Sequence, residues 1–412
     1  MYEEQVELGY VKYFKNAYIV MEGKQNANCF FIIQRGSVRV SREASVQGEK
    51  YEILGPGDFF GVISTMSSHN YIETAQALTD LILIKVYRHQ YAGLIQKSAP
   101  IAIKIIMQFS QKLRHLNQTL AKLTLKDTAE DSPAHLFSVA EYYYKQKQSA
   151  QAFYAYTKYL KYCPGGDFVK TAVNRLAGLG RYAANVKTEF RDDESSRVYT
   201  KNSMIFAEGE PGKELFIIQK GTVKISKVVD DKEVLLAVLK AGDIFGEMAL
   251  LEGKPRAANA IAYDDCHVIV ITKANFEIMI KSQPMLIEKV TILLAERLWL
   301  VYKQLANTGI KNPLGRMYYA LLIQLEKNRI PLNNHSPYTF NFGPDELFNM
   351  VGISNMMGRQ FLNGMQKSKR IEILSDKIHT NSVMEIVKLA EYYRKMDLRT
   401  GTKKLRSSGA VL

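Results

Sequence analysis

The stretch Leu215–Ser226 reads LFIIQKGTVKIS, and a near copy, FFIIQRGSVRVS, occupies Phe30–Ser41. Residues of the copy at 215–226 are numbered 185 above their counterparts at 30–41. The same offset aligns GPGDFFG at Gly55–Gly61 with KAGDIFG at Lys240–Gly246 without a gap. In both copies, β-branched and aromatic runs of strand length alternate with glycines, a pattern typical of an antiparallel β-roll. The sequence therefore predicts a duplicated roll rather than one large core.

The segments around the two copies indicate an α+β multidomain chain. Each copy precedes a stretch with helical periodicity, at 101–125 and 285–307. Between the copies, small residues recur at the spacing of a tetratricopeptide-like helix pair, which cannot bury both faces alone and must pack on a neighbouring domain or a protein partner. The predicted domains are a first roll with its helix at 1–125, a helical segment at 133–181, a second roll with its helix at 197–312, a C-terminal module at 313–395 and a basic tail at 396–412.

Charge and composition narrow the class of protein. The formal net charge is +14, and the chain from Pro284 onward carries 19 Lys and Arg against 10 Asp and Glu. This asymmetry suits a polyanionic partner, although charge alone fits a solvated basic surface equally well. We expect a cytoplasmic protein, because no apolar run is long enough to span a membrane and no signal peptide is visible. The spacing of Cys29, Cys163 and Cys266 argues against a disulfide framework or a metal site.

The loop FGEMALLEGKPRAANAIA at Phe245–Ala262 carries the candidate chemistry. Its glycines and small residues allow successive backbone N–H groups to converge on an anion. Arg256 adds a planar fork of donors suited to two phosphate oxygens, and Glu247 can accept hydrogen bonds from a hydroxyl group. One small ligand with a phosphate and a sugar hydroxyl would satisfy both side chains. The alternative is an ordinary surface ion pair, worth under ~1 kcal/mol.

This loop resembles the phosphate-binding cassette of the cyclic-nucleotide-binding family, and MIFAEGEPGKELFIIQKG at 204–221 resembles its first signature. The resemblance implies that Glu247 binds the ribose 2′-hydroxyl and Arg256 the cyclic phosphate. Backbone amides would complete the cradle at Gly246, Ala249 and Ala257. Relatives that select cyclic GMP often have Thr or Ser after the arginine, so Ala257 favours cyclic AMP. No nucleophile–base pair, metal cluster or phosphoryl-transfer loop accompanies the cassette, which argues against an enzyme.

The first copy lacks both chemical groups. Under the same offset, Val62 stands at the position of Glu247 and Tyr71 at that of Arg256, while nearby Glu73 would repel a phosphate. Losing a charge-assisted phosphate contact costs roughly 1.5–3 kcal/mol. We therefore expect the first roll to bind no nucleotide and to have a structural or regulatory role.

The helix after the second copy carries a heptad pattern. Its apolar and small residues recur at alternating four- and three-residue spacing: Ile287, Thr291, Leu294, Leu298, Val301, Leu305 and Thr308. The pattern predicts a homodimer through residues 285–308, and the alternative is that the stripe packs on its own roll. The catabolite activator (cyclic AMP receptor) family, which this part of the chain resembles, uses the equivalent helix to cover the base. The resemblance gives that role to Val301 and Tyr302.

Residues 313–380 resemble the winged helix-turn-helix module of the same transcription-factor family. Pro344 can start a helix, Gly352 can supply a left-handed turn and Ser354 can cap a second helix, the one that would enter the major groove. The family's base-reading Arg and Glu are replaced by Asn and Met, which leaves Arg359 as the candidate guanine reader. The residues that the resemblance implies for DNA contact are Ser354, Asn355, Met356, Arg359, Lys367, Lys369 and Arg370.

Together these features predict two β-roll (double-stranded jelly-roll) cyclic-nucleotide-binding domains, a small helical tetratricopeptide-like segment and a C-terminal winged helix-turn-helix. The function predicted is that of a cyclic-AMP-controlled, DNA-binding transcription regulator. The alternative is a nucleotide-sensing adaptor that has lost DNA binding and recruits a protein partner through its helical segment. Retention on duplex DNA with a steep salt dependence would distinguish the two.

Overall fold

The computed structural model describes residues 8–24, 27–42, 51–125, 132–180, 182, 186, 195–229 and 232–407. They form two compact units, each of which contains one β-roll. We name the roll at 9–87 roll 1 and the roll at 196–272 roll 2. The roll-1 unit comprises the described residues within 8–87, 116–125 and 296–407, and the roll-2 unit comprises those within 88–115 and 132–295.

Roll 1 consists of two four-stranded antiparallel sheets, with strand orders β1-β8-β3-β6 and β2-β7-β4-β5, and two helices follow it. Its elements are β1 (Gly9–Tyr13), β2 (Tyr18–Val20), β3 (Cys29–Arg35), β4 (Val38–Ser41), β5 (Tyr51–Leu54), β6 (Phe59–Phe60), α1 (Val62–Ser67), β7 (Thr74–Ala77) and β8 (Leu81–Tyr87). The helices that follow are α2 (Tyr91–Lys97) and α3 (Ala99–Leu125). The two sheets enclose a core of aliphatic and aromatic side chains.

Three helices lie between the rolls along the chain: α4 (His135–Lys145), α5 (Ser149–Tyr162) and α6 (Val169–Gly178). Roll 2 then comprises β9 (Ser196–Tyr199), β10 (Met204–Phe206), β11 (Glu214–Lys220), β12 (Val223–Val229), β13 (Lys232–Leu239), β14 (Ile244–Phe245), α7 (Glu247–Glu252), β15 (Asn259–Ala262) and β16 (Cys266–Thr272). Its sheets have the orders β14-β11-β16-β9 and β10-β15-β12-β13, and α8 (Lys273–Ser282) and α9 (Pro284–Thr308) follow.

The duplication extends to the register of strand pairing. In roll 1, Ile32 of β3 lies opposite Ile84 of β8. In roll 2, Ile217 of β11 lies opposite Ile269 of β16, which is the same pair shifted by the sequence offset. Both ladders also shift register near the end of the first strand, between Ile33 and Arg35 in roll 1 and at the equivalent residues in roll 2. The repeated sequence therefore encodes the same pairings and the same irregularity twice.

The helices between the rolls share a hydrophobic core with roll 2. Leu136, Val139 and Tyr156 of α4 and α5 are fully buried, in one cluster with Met204 and Ile261 of the sheet β10-β15-β12-β13. The expectation that this helix pair needs a neighbour to cover one face is confirmed, because the neighbour is roll 2 itself.

The C-terminal module combines four helices with a three-stranded sheet. Its elements are α10 (Pro313–Lys327), β17 (Tyr338–Thr339), α11 (Pro344–Val351), α12 (Asn355–Lys367), β18 (Glu372–Leu374), β19 (Lys377–Thr380) and α13 (Val383–Ser407). As predicted, Gly352 ends α11 with left-handed backbone angles (φ 63°), and the Ser354 side chain caps α12 by accepting a hydrogen bond from the Met357 amide. A two-residue turn at Ser375 and Asp376 joins β18 to β19. The boundary predicted at 396 falls inside α13.

The heptad stripe on α9 is covered within a single chain. Six of its seven residues are at most 6% exposed: Ile287, Thr291, Leu294, Leu298, Val301 and Leu305. In the roll-2 unit the Thr291 hydroxyl lies 3.0 Å from the hydroxyl of Tyr91 in α2, and α2 also contacts α8. These side chains are therefore already removed from solvent within one chain, which fits the alternative that the stripe packs on the chain's own elements. The homodimer through residues 285–308 stays a prediction. None of the described helices is long and apolar enough to cross a membrane.

In the roll-1 unit, roll 1 packs against the C-terminal half of α9 and the loop after α10. The Arg329 guanidinium donates hydrogen bonds to the carbonyl oxygens of Ser67 and Ser68, at 2.9 and 3.3 Å, where α1 ends. The ring of His69 stacks on Trp299, with centroids 3.7 Å apart. Burial, together with the positive charges of Arg329 and Lys303, lowers the pKa of His69 from 6.5 to about 4. The stacked imidazole is therefore neutral at pH 7.

This pKa predicts acid sensitivity of the contact between roll 1 and Trp299. Between pH 6.5 and 4 an unfolded chain binds a proton at His69 and the folded chain does not, so the free energy of unfolding should fall as pH falls through this window. Urea unfolding of the unchanged chain and of His69→Phe, which keeps an aromatic ring without a titrating group, would measure the effect. Stability of the variant should decrease less over this window, and parallel pH profiles would contradict the assignment.

Candidate functional site

Arg256 follows the cassette helix α7 and is only 4% exposed. Its Nη1 donates hydrogen bonds of 2.7 Å to the backbone carbonyl oxygens of Glu214 and Gly246. The guanidinium carbon lies 4.3 Å from the ring centroid of Phe206 and 5.5 Å from that of Phe216, within the range of cation–π attraction. Its Nε is buried with no hydrogen-bond partner among the described residues. The niche therefore holds a buried cation whose donors are only partly used.

Two glycines make room for this guanidinium. A Cβ atom at Gly212 would come within 2.5 Å of Arg256 Nε and 2.7 Å of the Ala249 Cβ. A Cβ atom at Gly246 would come within 2.7 Å of Nη1, and Gly246 has left-handed angles (φ 77°) as the N-cap of α7. A larger residue at either position would therefore displace the arginine, and Gly246 is also required by its backbone conformation.

The predicted carboxylate lies in the same roll as the guanidinium. Glu247 is the first residue of α7 and is 1% exposed. Burial lowers the pKa of Arg256, and the carboxylates of Glu210, Glu214 and Glu247 counteract part of that shift. Glu247 is thus close enough to act electrostatically on Arg256 although solvent reaches neither side chain. The residues predicted to offer backbone amides belong to the same loop: Gly246, Ala249 and Ala257.

Glu210 links this loop to the helical segment. Its backbone carbonyl accepts a 2.8 Å hydrogen bond from the Arg256 amide, which aligns the two loops of roll 2. Its buried carboxylate lies 2.9 Å from Nζ of Lys158 and accepts a 3.0 Å hydrogen bond from the Tyr154 hydroxyl. Both partners come from α5. The helical segment between the rolls therefore supplies Lys158 as the counter-charge of Glu210, and the Glu210 carbonyl oxygen in turn bonds the backbone amide of Arg256.

Comparison with known proteins identifies the type of domain in both rolls. The model of the cyclic nucleotide-binding domain matches residues 10–98 and 196–283, one match in each roll. The cAMP-activated global transcriptional regulator CRP of Pasteurella multocida is 30% identical over 158 residues, which cover 38% of this chain and 75% of that protein. The chain belongs to the CRP family of cyclic-nucleotide-binding proteins.

Other CRP-family members match less of their own length or are more distant. The cyclic AMP receptor protein of Thermus thermophilus is 30% identical over 137 residues, 33% of this chain, and the match spans 63% of that protein. The solved structure of the Thermus thermophilus catabolite activator protein is 23% identical, with a TM-score of 0.28, and the match covers 48% of this chain and 90% of that one.

Within this CRP-family chain, roll 1 has the neutral residues Tyr71 and Val62 at the positions of Arg256 and Glu247. The Tyr71 hydroxyl donates a 2.7 Å hydrogen bond to the Cys29 carbonyl oxygen. Under the sequence offset, this is the counterpart of the bond from Arg256 to the Glu214 carbonyl oxygen. Tyrosine therefore fills the arginine's place and satisfies the same carbonyl group with a neutral donor.

Roll 1 also contains its own anion. Glu73 is 3% exposed, and its carboxylate accepts a 2.6 Å hydrogen bond from the amide of Gly61, the counterpart of Gly246. The same carboxylate forms an ion pair with Arg42, whose guanidinium lies 5.1 Å from the ring centroid of Tyr302. Val301 and Tyr302 are buried in the roll-1 unit. The cassette residues of roll 2 belong to the other unit.

The residues predicted to contact DNA lie on the surface of the C-terminal module. All of them are exposed: Ser354, Asn355, Met356, Arg359, Lys367, Lys369 and Arg370. The first four lie at the N-cap and in the first turns of α12. The Arg359 guanidinium lies 3.3 Å from the carboxylate of Asp345, and both side chains are more than half exposed. This weak surface pair leaves the arginine available to another acceptor.

Sequence reasoning missed several residues that hold the cassette. Lys158 and Tyr154 contact Glu210 from α5, and Arg114 and Ser110 of α3 contact Glu252 at the end of α7. The signal available was weak, because a single Lys or Arg in an amphipathic helix usually lies on its solvated face. Their partners are distant in sequence, so local spacing could not pair them.

We expect that breaking the ion pair between Lys158 and Glu210 lowers the stability of the fold strongly, and that a second substitution restores much of it. The two side chains are 9% and 8% exposed, so Lys158→Met should leave a buried, unpaired carboxylate at a cost of about 3–5 kcal/mol. Adding Glu210→Gln removes that charge and should restore much of the loss. Chemical denaturation of both variants checks this, with Lys161→Met on the exposed face of α5 as the control. A loss equal to that of the control would contradict the pairing.

Proposed function

We propose that this CRP-family protein is a cyclic AMP receptor that binds one nucleotide in roll 2 and controls the binding of its C-terminal module to duplex DNA. The observation that carries the proposal is the buried Arg256 guanidinium, which retains an unpartnered Nε in a glycine-lined niche beside the buried Glu247. Removing both charges from water is costly unless a ligand or the protein compensates them.

A cyclic nucleotide has the chemistry that compensates both groups. Its phosphate would accept hydrogen bonds from Arg256 and from the amides of Gly246, Ala249 and Ala257. Its ribose 2′-hydroxyl would donate to Glu247. The methyl side chain of Ala257 offers no hydroxyl group to the amino group of guanine, which favours cyclic AMP over cyclic GMP.

Roll 1 is proposed to bind no nucleotide. Tyr71 and Val62 replace the arginine and the glutamate, and the Glu73 carboxylate already accepts the hydrogen bond of the Gly61 amide. A phosphate there would face this buried negative charge. The role proposed for roll 1 is mechanical, since it contacts Trp299 and Tyr302 of α9 and Arg329 of the C-terminal module.

The C-terminal module is proposed to act as a winged helix-turn-helix. Its α12 would enter the major groove, and β18 and β19 would form the wing. The exposed cations Lys367, Lys369 and Arg370 would contact phosphates, while Arg359 would read guanine. The proposed control follows from linkage, because nucleotide can change DNA affinity only by binding two arrangements of the protein unequally.

The nucleotide site is tested by Arg256→Leu in the full chain. Calorimetric titration of the unchanged protein with cyclic AMP should give a stoichiometry near one per chain and weaker binding of cyclic GMP and cyclic dinucleotides. The variant should lose saturable binding, because about 1.5–3 kcal/mol is lost for each charged hydrogen bond to phosphate. Lys254→Met, a change of a 60% exposed cation in the same loop, should bind as the unchanged chain does. Undiminished affinity of Arg256→Leu would refute the site.

DNA recognition is tested by selecting binding sites from duplexes of random sequence, with and without cyclic AMP. Arg359→Ala should weaken binding to the selected site by about 1–3 kcal/mol and relax the preference for guanine. Lys367→Ala should weaken binding to all sequences and reduce the slope of affinity against salt by about one. A chain that shows no salt-dependent retention on any duplex would favour the adaptor, with the helical segment recruiting a protein partner.

A further inference from the structure

The end of the cassette helix is held by a helix from a distant part of the chain. Glu252 is the last residue of α7. Its carboxylate accepts a 2.7 Å hydrogen bond from Arg114 Nε and a 2.8 Å hydrogen bond from the Ser110 hydroxyl, and both donors belong to α3. The side chains of Arg114 and Glu252 are 3% and 2% exposed. The ion pair is therefore desolvated and hydrogen-bonded, the setting in which loss of one partner has a large effect.

The same guanidinium also holds the backbone next to Arg256. Arg114 Nη2 donates a 3.0 Å hydrogen bond to the carbonyl oxygen of Pro255. That carbonyl and the amide of Arg256 belong to one peptide group, and the amide donates to the Glu210 carbonyl oxygen. Because the peptide group is planar, the two bonds hold it from opposite sides and fix the direction in which the Arg256 side chain leaves the backbone.

The loop between these contacts needs such support. It runs from Gly253, which has left-handed backbone angles (φ 65°), through the 60% exposed Lys254 to Pro255. Among the residues that the structure describes, the second cation paired with Glu252 is Lys254, whose Nζ lies 3.8 Å from the carboxylate. An exposed amine, a single point charge, cannot replace a buried guanidinium that bonds both ends of the loop at once.

We propose that Arg114 is a positioning residue for the nucleotide site, acting through Glu252 and the Pro255 carbonyl to orient Arg256. This rests on the proposed binding of cyclic AMP in roll 2. It makes the affinity of roll 2 depend on the helix that follows roll 1. By reciprocity, nucleotide bound at Arg256 stabilises the contacts of α3 with the cassette.

The test measures cyclic AMP affinity and thermal stability separately in the full chain. Arg114→Met should raise the Kd for cyclic AMP by about tenfold or more in protein that circular dichroism shows to be folded, since a charged hydrogen bond and a buried pair are lost. Arg114→Lys keeps the charge without the fork and should recover part of the affinity. Lys104→Met, on an exposed part of α3, is the control and should leave the Kd unchanged. A residue that only supports the fold would lower Tm and leave the Kd of folded protein unchanged, and that result would overturn the proposal.

A second pair of variants covers the case in which Arg114→Met does not fold. Glu252→Gln removes the buried charge, and Glu252→Gln with Arg114→Met then leaves no unpaired carboxylate. The double variant should still bind cyclic AMP several-fold more weakly than Glu252→Gln, because the bond to Pro255 is lost. Equal affinities would overturn the positioning role while the proposed function stands. Absence of binding by the unchanged chain would instead refute the proposed function, and this inference with it.

Discussion

The buried guanidinium of Arg256 is the constraint around which roll 2 is organised. A cation removed from water must be compensated by nearby acceptors and opposite charges. Roll 2 provides two backbone carbonyl oxygens, two aromatic faces and the fields of three carboxylates, and it keeps Gly212 and Gly246 free of side chains to make space. This environment holds the arginine inside the roll.

The two rolls share one backbone arrangement but differ in the side chains that occupy the cassette position. Their strands pair in the same register, and equivalent carbonyl oxygens accept a hydrogen bond from Arg256 in one and from Tyr71 in the other. In roll 1 the chain's own Glu73 accepts the hydrogen bond of the loop amide. Roll 1 therefore satisfies these backbone groups with a neutral donor and its own carboxylate, and it contacts α9 and the C-terminal module through His69 and Ser67.

The cassette of roll 2 is held by buried ion pairs with two helical elements outside the roll. Lys158 of α5 pairs with Glu210, and Arg114 of α3 pairs with Glu252. Each pair is desolvated, and the peptide group of Pro255 and Arg256 bonds to one member of each: its amide donates to the Glu210 carbonyl oxygen, and its carbonyl oxygen accepts from Arg114. In the proposed mechanism, nucleotide binding at Arg256 would therefore change the contacts of α5 and α3 with the cassette. A roll that was cut from this chain would lack both supports.

The sequence by itself determined the features that depend on residues close together. Strand periodicity and repeated glycines predicted both rolls and their offset, and the caps around Gly352 and Ser354 predicted two helices and their turn. The residues proposed to bind the ligand, Glu247 and Arg256, were also chosen from one short loop, and both are buried. Tertiary structure alone decided what covers the α9 stripe and which charges pair. Arg114 and Glu252 are separated by 138 residues, in a chain with 55 Lys and Arg and 41 Asp and Glu. Local patterns cannot choose among so many partners, because pairing at that distance depends on how the elements pack and on which groups that packing removes from water.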